Sequence, residues 1–294
     1  MEKHIFKFGN NSSAFILPKK WLDKNGLKPS SEVYVSESES GNLIIAPTGA
    51  TKKEAEKVVT SRTSPQLLGR WVGLHYMFGT GKLRIYSSDG LGIPQIEAVE
   101  DKLRRECPGF EITSQSGKDI IMEDLTDIRE IDLEKIMMRI RSLVKQEFYE
   151  MSRRETGGTQ RLEELVNRFY MLGARYINIT QAKDALVHLE VLGSLEEISD
   201  RLVVVSSNFR IKDARMFADI GALFDLSDKA MKGDGKAIEQ VEADRDAILR
   251  RISRSGQDRM YLKLVREVVD KISGIAEYGL RVESDSPLQE QAQG

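Results

Sequence analysis

A single cysteine, Cys107, is all the thiol this 294-residue chain contains, which excludes an internal disulfide and any multi-cysteine zinc or iron–sulfur site. The three histidines, His4, His75 and His188, stand at least 71 residues apart, so no short histidine metal motif exists. Seven prolines rule out a collagen-like or proline-rich chain. No run of 18 apolar residues occurs, and Met1–Asn11 lacks the apolar core of a signal peptide. The expectation is a soluble, cytoplasmic protein with no membrane insertion. An excess of one charge is missing too: 44 basic against 46 acidic residues leave a net charge of −2, so the whole chain is no polybasic coat for nucleic acid. Scarce histidine and cysteine weigh against an enzyme.

What is present is 40% apolar and 31% charged residues, enough for real cores under a highly charged surface. The length suits two domains with a small third. Residues 1–47 read as short strands around one short helix. His4–Phe8 alternates, Gly9-Asn10-Asn11-Ser12 is a turn cluster, and Ala14–Leu17 is apolar. Pro18 suits the first turn of a helix from Lys19 to about Asn25, which stops at Gly26. Val33-Tyr34-Val35 and Leu43-Ile44-Ile45 are β-rich, with a hairpin turn at Ser40-Gly41-Asn42. So short a domain buries little surface alone, and a dimer is the natural remedy. Thr48-Gly49-Ala50 is a linker.

Residues 51–130 read as an α/β insert: a helix from Lys53 to Phe78 loosened at Ser64-Pro65, strands at Lys82–Tyr86, Phe110–Thr113 and Ile120–Met122, and an amphipathic helix over Pro94–Glu106 with Ile96, Val99 and Leu103 on one face. From Asp132 to Val282 the pattern is helical. Breaks at Gly157-Gly158, near Thr180, at Ser207-Asn208, at Gly233-Asp234-Gly235 and at Ser255-Gly256 give six helices, in two triplets of matching order. The polar tail 283–294 reads as disordered. The fold class expected is therefore multidomain α+β, ending in an all-α bundle of two three-helix repeats.

Charge is distributed unevenly. Lys3, Lys7, Lys19, Lys20, Lys24 and Lys28 face only Glu2 and Asp23 in the first 28 residues, a local +4, while the remaining 266 carry −6. Lysines on both partners of a dimer would neutralise phosphates, with Asn10, Asn11, Ser12 and Ser13 as short polar contacts; the bland reading is a solvated lysine face. Glu196 and Asp200 fall in the apolar stripe of Leu189, Leu192 and Val203, where an unpaired carboxylate costs several kcal/mol. Their i, i+4 spacing suits a cation held by oxygens, and Glu242 and Asp246 repeat it. The competing reading is an arginine partner from Arg201, Arg245, Arg250 or Arg251, or plain solvent exposure. Gly79-Thr80-Gly81-Lys82 resembles the end of a phosphate loop, but Tyr76 stands at the earlier glycine and Leu83 where Ser or Thr belongs. It reads as a turn. Cys107 beside Pro108 reads as a helix-end residue.

Residues 4–47, with Gly9, Leu17-Pro18-Lys19, Trp21, Gly26-Leu27 and Val33–Val35, resemble an AbrB/SpoVT (MazE-like) swapped-hairpin domain. That resemblance implies two chains interlocked into one small β-barrel, with basic residues contacting DNA; Ser30-Ser31-Glu32 stands where the family has a Gly-Asp-Glu turn. The remainder resembles archaeal proteins that join this domain to a PhoU-type phosphate signalling regulator. The match runs through the insert, the Ile131-Asp132-Leu133 entry and two three-helix repeats over 131–282. The resemblance implies iron or zinc held by Glu/Asp-x-x-x-Asp pairs on the bundle surface. Glu196/Asp200 and Glu242/Asp246 keep the pattern, Glu163 is followed by Asn167, and Asp270 is preceded by Arg266. The implied function is a homodimeric, DNA-binding regulator of phosphate uptake. The rival is a non-DNA-binding adaptor that dimerises through its first domain and docks on a phosphate transporter or sensor.

Overall fold

The computed structural model describes residues 4–9, 12–37, 43–47, 53–126, 128, 131–180 and 184–280. The expectations at Lys3, Asn10, Asn11, the Ser40–Asn42 turn, the Thr48–Ala50 linker and the tail 283–294 lie outside them. The chain divides into two units, Met1–Lys52 and Lys53–Gly294.

In the first unit β1 (Ile5–Phe8) pairs antiparallel with β2 (Ser12–Phe15), Lys7 opposite Ser13 and Phe8 opposite Ser12. Helix α1 (Lys19–Lys24) begins after Pro18, whose fixed φ and missing N–H cost nothing there. Gly26, at φ 63°, ends it: Leu27 N–H reaches Leu22 C=O at 3.0 Å and Gly26 N–H reaches Asp23 C=O at 3.2 Å. These two bonds are the Schellman stop. Ser30 takes φ 73°, a left-handed conformation that favours glycine. Strands β3 (Val33–Glu37) and β4 (Leu43–Pro47) form a second antiparallel pair. No described side chain before Val59 is buried.

The second unit starts with β5 (Lys53–Val59), where the sequence predicts a helix. Glu54, Glu56 and Lys57 are good helix formers, but the segment runs parallel to β6 (Thr80–Ser87) and buries Val59 at the core. Pairing overrides propensity here. Helix α2 (Pro65–Met77), with proline in its first turn, makes the crossover between them. The Gly79–Lys82 segment is a turn only at Gly79 (φ 80°), since β6 begins at Thr80. Helix α3 (Ile93–Glu106) is followed by β7 (Phe110–Gln115) and β8 (Asp119–Asp124), giving the order β5-β6-β8-β7 with all but the first pair antiparallel. Val59, Leu83, Ile85, Phe110, Ile120 and Met122 of the sheet meet Leu68, Val72, Tyr76, Val99 and Leu103 of the two helices in one core.

Six helices follow: α4 (Leu133–Ser152), α5 (Thr159–Thr180), α6 (Ala185–Asn208), α7 (Arg215–Met231), α8 (Gly235–Ser253) and α9 (Arg259–Glu277). Their breaks lie where glycine and polar residues place them in the sequence. Asp132, Asp234 and Asp258 cap α4, α8 and α9 by accepting from backbone N–H groups of the first turn. Apolar stripes from all six helices close a second core, including Ile140, Phe148, Leu195, Phe217, Val241 and Ile272. The chain is thus α+β, a small strand unit followed by a larger, mostly helical one.

One buried ion pair ties the sheet to the helices. Arg175 of α5, 1% exposed, donates to Asp124 at the end of β8 at 2.6 Å. It also donates to the backbone carbonyls of Tyr76 and Thr80 and lies over the Tyr76 ring, 4.7 Å from its centroid. A buried guanidinium survives only with such a set of acceptors.

Candidate functional site

In the first unit, Lys7 on β1, Ser12 on β2, and Lys19, Lys20 and Lys24 on α1 are all exposed. They share that unit with largely exposed apolar side chains: Ile5 is 74% exposed, Phe8 71% and Ile16 65% among the described residues. The β1–β2 pairing puts Phe6, Phe8, Ser12 and Ala14 on one face, and Ile5, Lys7, Ser13 and Phe15 on the other. The hairpin is therefore apolar on both faces, with Lys7 exposed on one of them.

The helical carboxylates divide into two sets with opposite fates. Between α5 and α6, Glu163, Glu196 and Asp200 are half-buried and feel one another's charge. Burial first, then Asp200, raises Glu196 to about 7 and Glu163 to about 6; burial also raises Asp200, against the pull of Arg201. Asn167 donates to Glu163 from the same helix. Arg201 is already engaged with Glu197 and with Glu267 of α9 at 3.0 Å. Between α8 and α9, Arg245 stands among Glu242, Asp246 and Asp270. It donates to Asp270 at 2.8 Å and lies 3.8 Å from Glu242 and 3.7 Å from Asp246. Ser273 adds a donor to Glu242.

A metal ion does not fit the second set, because a guanidinium occupies the place between its carboxylates. Among the described residues no group of three or more His, Cys, Asp or Glu is placed to hold a metal ion. Glu196 and Asp200 thus form a coupled acidic face with Glu163, while Glu242, Asp246 and Asp270 form a face neutralised by Arg245.

Sequence reasoning passes over two groups. Glu147 of α4 is fully buried, accepts from Ser199 at 2.7 Å through one oxygen, and leaves Oε2 without a partner. Its place in the stripe of Leu143, Val144 and Met151 is the signal that could have found it. Arg175 likewise sits one turn from Met171 in the buried stripe of α5. Two of the residues the sequence singled out are locally satisfied: the imidazole of His75 lies tilted against Trp71 and meets Thr80 Oγ1 at 3.0 Å, and Cys107 ends α3 buried, its thiol pushed up to about 12.

No helix among the described residues is long and apolar enough to cross a membrane. No curated protein and no solved structure matches the chain. Residues 7–53, which run from the end of β1 through β2, α1, β3 and β4, match the family described as antidote-toxin recognition MazE, bacterial antitoxin, so the first unit carries a MazE/AbrB-like domain.

Proposed function

We propose that the chain is a homodimeric, DNA-binding regulator whose first unit provides both the dimer core and the DNA contact. One observation carries this reading: the MazE-like unit buries none of its described side chains and exposes Lys7, Lys19, Lys20 and Lys24 beside its uncovered apolar residues. Two copies would bury Ile5, Phe6 and Phe8 against each other and set two lysine groups on one particle. The helical unit would relay phosphate status to that particle in the cytoplasm, as its similarity to PhoU-type regulators implies. Nothing in this role requires catalysis.

The test is binding to duplex DNA over a salt series. Each neutralised phosphate contributes roughly −0.9 to the slope of log affinity against log salt. Lys19→Ala with Lys20→Ala, present in both protomers, should flatten the slope and weaken binding without changing the melting temperature. No binding at low salt, or a slope the variant leaves unchanged, rules the reading out. A second reading, the adaptor, is favoured by the net −6 carried outside the first 28 residues. Co-purification with a phosphate transporter or sensor, without DNA retention, would select it.

A further inference from the structure

A cleft of about 460 Å3 lies beside the connection between α8 and α9, lined by Asp213, Ala247, Arg250, Arg251, Arg254 and Ser255. Its arginines differ in what they do. Arg251 binds both oxygens of Asp213 at 2.9 Å and pairs with Asp219. Arg250 and Arg254 have no ion pair or hydrogen-bond partner among the described residues.

Asp213 and Asp219 both pair with Arg251, which leaves the guanidinium groups of Arg250 and Arg254 as the uncompensated positive charge lining the cleft. A cation in the last turn of α8 is favoured by the free carbonyls there. That effect falls off within the turn and leaves the side chains of Arg250 and Arg254 without an acceptor among the described residues. A tetrahedral oxyanion supplies one, with several acceptor oxygens and a charge near −2, and guanidinium groups match it by paired N–H donation. A volume of about 460 Å3 suits a nucleotide-sized ligand and not a duplex.

We propose that this cleft binds a phosphorylated small molecule, whose phosphoryl oxygens accept hydrogen bonds from Arg250 and Arg254. The site is separate from the lysines of the first unit, so it stands or falls independently of DNA binding. The test is calorimetric titration of the full chain with inorganic orthophosphate, inorganic pyrophosphate and AMP, in chloride at physiological ionic strength. Saturation at one site per chain by at least one of them is expected, and the tightest of the three identifies the source of the phosphoryl group. Arg250→Ala with Arg254→Ala should lower that affinity by at least about tenfold, as loss of paired guanidinium contacts does. Arg250→Lys with Arg254→Lys, which keeps the charge and loses the fork, should fall between. Lys19→Ala with Lys20→Ala should leave it unchanged. If no probe saturates, if the double alanine variant binds like the parent while melting normally, or if that variant loses only duplex DNA affinity, the assignment is overturned.

Discussion

Glu147 sets a pH dependence into the middle of the helical unit. Burial raises it to about 8, and the nearby charges of Glu163, Glu150 and Asp200 add to the rise against one hydrogen bond from Ser199. The folded carboxyl therefore holds its proton through a range where the unfolded one, near 4.5, has released it. Stability is complete below about pH 4.5, falls as pH climbs, and levels off above about 8. Glu147→Gln mimics the protonated group. It should raise stability at pH 8 by roughly 2–4 kcal/mol and change little at pH 4, read as melting temperature by circular dichroism. Equal gains at both pH values would show that the group is not protonated in the fold. Arg175 gives a second residue-scale expectation. Arg175→Met leaves Asp124 and two buried carbonyls without their donor and should cost roughly 3–5 kcal/mol. Arg175→Met combined with Asp124→Leu should recover part of that loss, since the remaining buried charge has gone.

At the scale of elements, helix α9 and the chain just beyond it contain two glycines with opposite demands. Around Gly274 an added Cβ would meet nothing within 4 Å, so Gly274→Ala should stabilise by about 0.5–1 kcal/mol through helix propensity alone. At Gly279 the same atom would run into the carbonyl oxygen of Ala230 at the end of α7, so Gly279→Ala should destabilise and expose the α7–α9 contact to amide exchange. Urea midpoints of the two variants moving in the same direction would contradict the packing. The six long helices were legible because their signals are local: glycine and polar breaks, aspartate caps, and apolar residues at i, i+3, i+4. Strand β5 was not, because Glu54, Glu56 and Lys57 carry a helical preference that only pairing with β6 overturns. The site shows the same division. Glu196 and Asp200 could be found from their place in an apolar stripe. The neutralisation of Glu242, Asp246 and Asp270 by Arg245 depends on how α8 and α9 face each other, which spacing along one helix does not encode.

For the molecule as a whole, the first unit matters most, since the proposed dimer rests on its exposed apolar side chains. Phe8→Asp should turn a dimer into a monomer in sedimentation velocity and lower DNA affinity together with it, while the thermal transition of the helical unit stays in place. A variant that remains dimeric would mean that the apolar face of β1 is not the dimer core. The uneven charge fits this division: the lysines lie on the unit whose apolar side chains stay exposed, and the negative excess on the unit that folds around its own two cores.

The clasp at Arg175 also has a consequence in time. The sheet and its Asp124 are complete 51 residues before Arg175 is added. At roughly 5–20 residues per second of synthesis, the acceptors wait about 3–10 seconds for their donor. During that interval Asp124 and the two carbonyls have no guanidinium to meet them, and the fifth helix is the segment whose arrival closes the contact.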